Sequence, residues 1–153
     1  MKPQPGEDAP DFSLQADDGS SVSRESQLGK RYILYFYPKD DTPGCTAQAC
    51  SLRDNFGRVI DTGVEVFGVS PDSVKSHQKF RAKYDLPYRL LADPGHGMAD
   101  DYGVWVEKTM YGKTYQGIER SSFVIGPDGR IEHVLERVKP MEHVDLLLDA
   151  LAA

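Results

Sequence analysis

Two cysteines, Cys45 and Cys50, and a threonine three positions before the first, Thr42, are the residues of this 153-residue chain whose types and spacing suit covalent chemistry. They follow or close the run Pro38-Lys39-Asp40-Asp41-Thr42-Pro43-Gly44-Cys45, after which apolar residues recur at helical steps. That pattern puts Cys45 at the start of a helix, where free backbone N–H groups and the helix dipole favour an anion. Such a placement can take a thiol from a pKa of about 8.5 to roughly 3.5 to 7.5 and so supply thiolate, the nucleophilic form of sulfur. Were the value to fall to about 6, the gain in thiolate at pH 7 would be only about thirtyfold. Enzymes commonly reach about 10⁶-fold or more, so most of the acceleration must come from donors that stabilise charge on a departing oxygen. Thr42 offers a hydroxyl that can accept and donate, and Pro38 and Pro43 stiffen the loop that holds it. A cation has to come from elsewhere in the chain. Cys50, taken alone, reads equally as a small buried hydrophobe.

The elements that must position these groups are legible from periodicity. Tyr32 to Tyr37 is apolar or aromatic throughout, as expected of a central strand buried on both faces, and Pro38 ends it. Ala49, Leu52, Phe56, Val59 and Ile60 recur at steps of three and four, which predicts one amphipathic helix running from Cys45 to Gly63. Val64 to Val69 reads as a second strand, and Val74, His77, Phe80 and Tyr84 as the stripe of a second helix beginning after Ser70-Pro71-Asp72. A short strand is expected at Arg89 to Leu91. Near the N-terminus, Phe12 to Leu14, the Asp17-Asp18-Gly19 turn and Val22 predict a hairpin laid across one edge. A second hairpin has arms Ser122 to Ile125 and Ile131 to Leu135, and Val144, Leu147, Leu148 and Leu151 share one face of a last helix. Alternating units followed by an antiparallel hairpin give an α/β sandwich with a mixed sheet, the thioredoxin-like arrangement, with an N-terminal hairpin extension.

Composition bounds the function from outside. Residues 1–153 read as one domain, with no internal repeat or linker. Apolar residues make up 39% and charged residues 27%, which excludes intrinsic disorder. The longest apolar run falls far below the ~20 residues of a membrane helix, and residues 1–8 have no apolar stretch to act as a signal peptide, so a cytoplasmic protein is expected. A net charge of -6 without clustered Lys and Arg argues against nucleic-acid binding. Two cysteines in a cytoplasmic chain are more often reactive or buried than paired permanently. The four histidines, His77, His96, His133 and His143, fall at no ligand spacing with one another or the cysteines, so no metal is expected and they read as surface or packing residues. Asp40 and Asp41 read as residues that brace the turn.

The run Pro38 to Cys45 resembles the P-x-x-x-T-x-x-C active-site loop of peroxiredoxins, and its K-D-D-T-P-G-C-T form resembles the bacterioferritin comigratory protein, or peroxiredoxin Q, subfamily. Further likeness spans nearly the whole chain: Ala9 to Phe12, Tyr102-Gly103-Val104, the run Lys108 to Arg120, and Ser122 to Ile125. The resemblance implies a thiol peroxidase in which Cys45 is the peroxidatic cysteine, Thr42 and Pro38 complete the loop, and Arg120 positions and polarises the peroxide. It also implies that Cys50 is the resolving cysteine. Hydrogen peroxide or an organic hydroperoxide would convert Cys45 to a sulfenic acid, Cys50 would condense with it to an intramolecular disulfide, and thioredoxin or a similar dithiol would reduce that bond. No metal, haem or nucleotide is implied, and a monomer is expected. One position departs from the subfamily's usual C-T-x-E-A-C: Gln48 stands where a carboxylate would orient the arginine, so Arg120 is expected to be held more loosely.

Two other functions fit the same fold. A disulfide oxidoreductase calls for C-x-x-C, whereas the spacing here is C-x-x-x-x-C. A redox-silent binding module has no need to keep Thr42, Cys45 and Arg120 together.

Overall fold

The computed structural model describes residues 2–152. Its layering follows from one strand, β3 (Arg31–Phe36), whose side chains alternate between the two faces of a sheet as the strand period of two requires. Tyr32, Leu34 and Phe36 enter one apolar cluster with Phe12, Phe67, Val69, Tyr102 and Phe123. Ile33, Tyr35 and the following Tyr37 enter the other, with Cys45, Ala49, Leu52, Phe80 and Leu147. Both faces are covered, which is why the run shows no polar alternation.

Six more strands complete this sheet: β1 (Ser13–Ala16), β2 (Ser21–Ser23), β4 (Val64–Ser70), β5 (Arg89–Ala92), β8 (Ser122–Ile125) and β9 (Ile131–Leu135). The order is β2-β1-β5-β4-β3-β8-β9. β3, β4 and β5 run parallel, while β1 and β8 pair antiparallel to β5 and β3, so the sheet is mixed as expected. The N-terminal hairpin lies at one edge. β4 rather than β3 occupies the middle of the seven, since β8 and β9 add only two strands beyond β3.

The helix expected from Cys45 to Gly63 is two helices, α1 (Pro43–Asp54) and α2 (Phe56–Ile60). Asn55 separates them with φ -114° and ψ 13°, outside the helical well, while its side-chain amide donates to the Ser51 carbonyl at 2.8 Å. The bend lets Val59 reach the core and leaves Ile60 41% exposed, off the stripe that periodicity assigned it. α3 (Val74–Tyr84) is capped by the Ser73 hydroxyl, which accepts from the Ser76 N–H at 3.1 Å. α5 (His143–Ala152) packs Val144, Leu147 and Leu151 into the same cluster as Cys45.

Two features were not read from the sequence. One is α4 (Gly97–Asp101). The other is a hairpin of β6 (Trp105–Met110) and β7 (Lys113–Ile118), which forms its own two-stranded sheet. Its turn is Tyr111-Gly112, both at positive φ (52° and 75°), the conformation of a two-residue turn that usually advertises itself as Asn-Gly or Asp-Gly. Tyrosine in the first position hides that signal.

Candidate active site

The chain reaches Cys45 by leaving β3 at Tyr37, crossing the loop 38–42 and entering α1 with Thr42 as N-cap and Pro43 in the first turn. Proline there is preset for a helix and removes a donor that would otherwise go unpaired. The Thr42 side chain does not cap the helix; its hydroxyl donates to the Lys39 carbonyl at 2.9 Å. Its hydrogen is therefore engaged within the loop, and its oxygen keeps lone pairs for an incoming donor. The first helical bond from the cap runs from the Thr46 N–H to the Thr42 carbonyl at 2.8 Å, so Gly44 and Cys45 lie where helical N–H groups have no partner within the helix.

Arg120 comes from the segment between β7 and β8, and the Val138 N–H donates to its carbonyl at 2.7 Å. Nη2 donates to Cys45 Sγ at 3.5 Å, and Nη1 donates to Gln48 Oε1 at 2.5 Å. Gln48, one turn after Cys45 and fully buried, thus holds the guanidinium with its amide oxygen. The amide carbonyl takes one arm of the guanidinium, where a carboxylate would add its charge to the same bond. The amide nitrogen, Nε2, has no partner among the described residues. At Gly44 a side chain would press on this arrangement: a Cβ would stand 3.4 Å from Arg120 Nη2 and 3.6 Å from Pro140 Cγ.

Cys45 itself is 2% exposed, and Cys50 is half-buried; both are free thiols within α1. Pro38 is half-buried and joins a groove of about 490 Å³ with Trp105, Lys108, Met110, Tyr115 and Ile118 of the β6–β7 hairpin. Burial, followed by the nearby Arg120 guanidinium, holds the Lys108 amine below the ordinary lysine value. The groove is apolar along the hairpin, with the Lys39 and Lys108 side chains in its wall. Its residues lie within the run Lys108 to Arg120 or beside it, but their shared face depends on the unpredicted hairpin.

Asp40 does more than brace a turn. Buried, it accepts from the Tyr37 hydroxyl at 2.6 Å and the Ser76 hydroxyl at 2.8 Å, and stands 2.7 Å from His77 Nδ1, while its own N–H donates to Asp72 at 2.8 Å. His77 Nε2 lies 2.9 Å from the Leu91 carbonyl, which can only accept, so that nitrogen carries hydrogen. A proton must then also lie between Nδ1 and Asp40. Burial and the adjacent Asp40 push the Tyr37 hydroxyl well above the ordinary phenol value, keeping it a neutral donor. The side-chain oxygens and ring nitrogen of Asp40, Asp72 and His77 fall within 4.8 Å of one another, yet hydrogen bonds already engage them. The network ties the loop before Cys45 to the start of α3.

His77 and His143 are fully buried. His143 Nε2 meets the Ser122 hydroxyl at 2.8 Å, and burial, followed by the Arg120 charge, pushes its pKa down to about 3. The ring is therefore neutral near neutral pH and adds no charge beside Arg120. His96 stacks on Trp105 at 4.0 Å, within 5° of parallel.

A thioredoxin-like sheet carrying a buried cysteine at a helix start, beneath an arginine, is matched by known proteins over almost the entire chain. Residues 5–134 match the AhpC/TSA family, and the chain belongs to it. Within that family its relatives are peroxiredoxins: peroxiredoxin Bcp of Escherichia coli K12 is 46% identical over 94% of this chain and 92% of its own. Peroxiredoxin Bcp of Bacillus subtilis 168 is 44% identical over 95% of this chain and 93% of its own. Among solved structures, peroxiredoxin Q of Xanthomonas campestris superposes with a TM-score of 0.86 at 36% identity, covering 92% of this chain and 89% of its own. A structure of the X. campestris bacterioferritin comigratory protein, described for its alkyl peroxide reduction activity, matches with a TM-score of 0.85 at 35% identity over 92% and 90% of the two chains.

Proposed function

We propose that this chain is a peroxidase that reduces hydrogen peroxide and organic hydroperoxides with Cys45. The observation that carries the reading is the Arg120 Nη2 donor 3.5 Å from a buried Cys45 Sγ at the start of α1. The Cys45 thiolate attacks the terminal peroxide oxygen, the O–O bond breaks, and the leaving alkoxide or hydroxide takes a proton to depart as alcohol or water. Sulfur is oxidised to the sulfenic acid. Arg120 holds the peroxide and offsets charge on the departing oxygen, Thr42 accepts the hydrogen of the peroxide, and Pro38 shapes the loop.

Cys50 then attacks Cys45 sulfur, forming the disulfide and releasing the sulfenic oxygen as water. A dithiol returns both cysteines to thiols and is itself oxidised; thioredoxin suits this exchange because a dithiol can reduce a disulfide within one chain. The chain works as one domain and as a monomer in the cytoplasm. Among the described residues no helix is long and apolar enough to cross a membrane.

Peroxide consumption by the reduced protein, with thioredoxin and its reductase or with glutathione as electron donor, is the test. Stoichiometric loss of peroxide coupled to the dithiol supports the cycle. Loss of activity only with glutathione absent would replace the proposed reductant, and no consumption with either would remove the function.

A further inference from the structure

The resolving step needs Cys50 to reach Cys45, and a chain of two buried phenols opposes it. The Tyr88 hydroxyl donates to the Ala49 carbonyl at 3.1 Å. Its single hydrogen is thereby used, so in the 2.9 Å contact with Tyr35 it is the Tyr35 hydroxyl that donates to Tyr88. Both rings are essentially buried, at 1% and 3% exposure, and burial holds both hydroxyls above the ordinary phenol value, so each remains a neutral donor. Ala49 immediately precedes Cys50. Beyond it, Arg53 Nη1 donates to the Tyr84 carbonyl at 2.7 Å. The turn of α1 that holds Cys50 is thus fastened at both ends to the segment Tyr84–Tyr88.

We infer that Tyr88 is a positioning residue that clamps α1 in its wound form and so sets the rate at which Cys50 resolves the Cys45 sulfenic acid. The inference rests on the proposed role of Cys50. When the second turn of α1 unwinds, the Ala49 carbonyl leaves, and the two phenols keep two hydrogens but only the contact between their own hydroxyls to place them in, so one hydroxyl goes unpaired. A buried donor left unpaired opposes that opening. The clamp keeps the sulfenic acid exposed to a second peroxide for longer, so it favours the sulfinic acid over the disulfide.

The experiment follows the reduced protein by rapid quench and intact-mass spectrometry after one equivalent of peroxide, and again with excess peroxide. Tyr88→Phe is expected to form the Cys45 to Cys50 disulfide about tenfold faster, which corresponds to about 1.4 kcal/mol. Its bimolecular rate with peroxide should stay within about twofold of wild type, and its sulfinic fraction in excess peroxide should fall. A merely structural defect would not accelerate one step selectively. Tyr35→Phe, which keeps the bond to Ala49, should resolve at the wild-type rate. The pair Tyr35→Phe with Tyr88→Phe removes the stranded Tyr35 hydroxyl while keeping both rings, so it also guards against misfolding of the single variant; it should resolve as fast as Tyr88→Phe. An unchanged resolution rate in the double variant overturns the clamp alone. Absence of any Cys45 to Cys50 disulfide in the wild-type protein overturns the role of Cys50, and the clamp with it.

Discussion

Arg120 and Cys45 stand 75 positions apart in the chain, yet the guanidinium Nη2 lies 3.5 Å from the sulfur and its other arm is fixed by Gln48. A cation held this way acts on the thiolate and on the oxygen leaving it. Arg120→Met keeps bulk and removes both effects. We expect kcat/KM for peroxide to fall by about 10² or more, in the range seen when one preorganised donor is lost. The fall should persist when the variant is assayed at high pH, where ionisation is no longer limiting; full recovery there would reduce Arg120 to a tuner of ionisation.

Cys45→Ser should retain less than a tenth of wild-type turnover, because a serine hydroxyl is hardly ionised at neutral pH. Steady-state peroxide consumption measures it directly. Activity above that level would place the nucleophile elsewhere.

With Cys50→Ser the protein should consume about one equivalent of peroxide and stop at the sulfenic acid, then overoxidise more readily. Trapping with a sulfenate-selective reagent reports the stalled state. Thioredoxin-driven turnover at the wild-type level would exclude Cys50 from resolution.

Oxidation should unwind the start of α1. Five residues along a regular helix separate the two Cα atoms by roughly 8 to 9 Å, whereas a disulfide needs about 4.4 to 6.8 Å. Amide exchange across residues 46–53, compared between reduced and oxidised protein, should show protection lost on oxidation. Equal protection in a sample proven by mass to carry the disulfide would contradict this.

His143 should make the fold acid-sensitive. Its pKa is pushed down to about 3 in the folded protein from an ordinary value of 6.5, so between those limits the unfolded chain binds a proton that the native one does not. Stability from this group is complete above pH 6.5 and is lost progressively toward pH 3, by up to about 1.4 kcal/mol per pH unit. His143→Gln should flatten that slope in urea titrations at pH 4 to 7. A slope identical to wild type would mean that other groups carry the acid response.

The loop and the sheet were legible because local patterns encode them: Pro38 to Cys45 as a motif, and β3, β4, α3 and α5 as periodicity. What escaped depends on partners distant in the chain. Nothing near Asp40 announces His77, 37 positions on, and a single Asn55 within an unbroken apolar pattern does not declare that its side chain will turn back to Ser51. Gln48 was weighed by charge, whereas its hold on Arg120 is a matter of geometry. Tyr111 adopts a backbone that tyrosine seldom takes, so the hairpin that walls the groove left no usual turn signature.

That hairpin has a consequence for how the protein can change. β6 and β7 pair with each other and with no strand of the seven-stranded sheet, and Tyr111 at the tip is 97% exposed. Its outer half can lengthen, shorten or exchange side chains without shifting any register in the main sheet. Only its base is tethered, since Ile118 is buried and Arg120 follows two residues later. Residues 109–116, all exposed, can therefore change in length or sequence while Lys108, half-buried and near enough to Arg120 to feel its charge, stays with the base beside the sulfur chemistry.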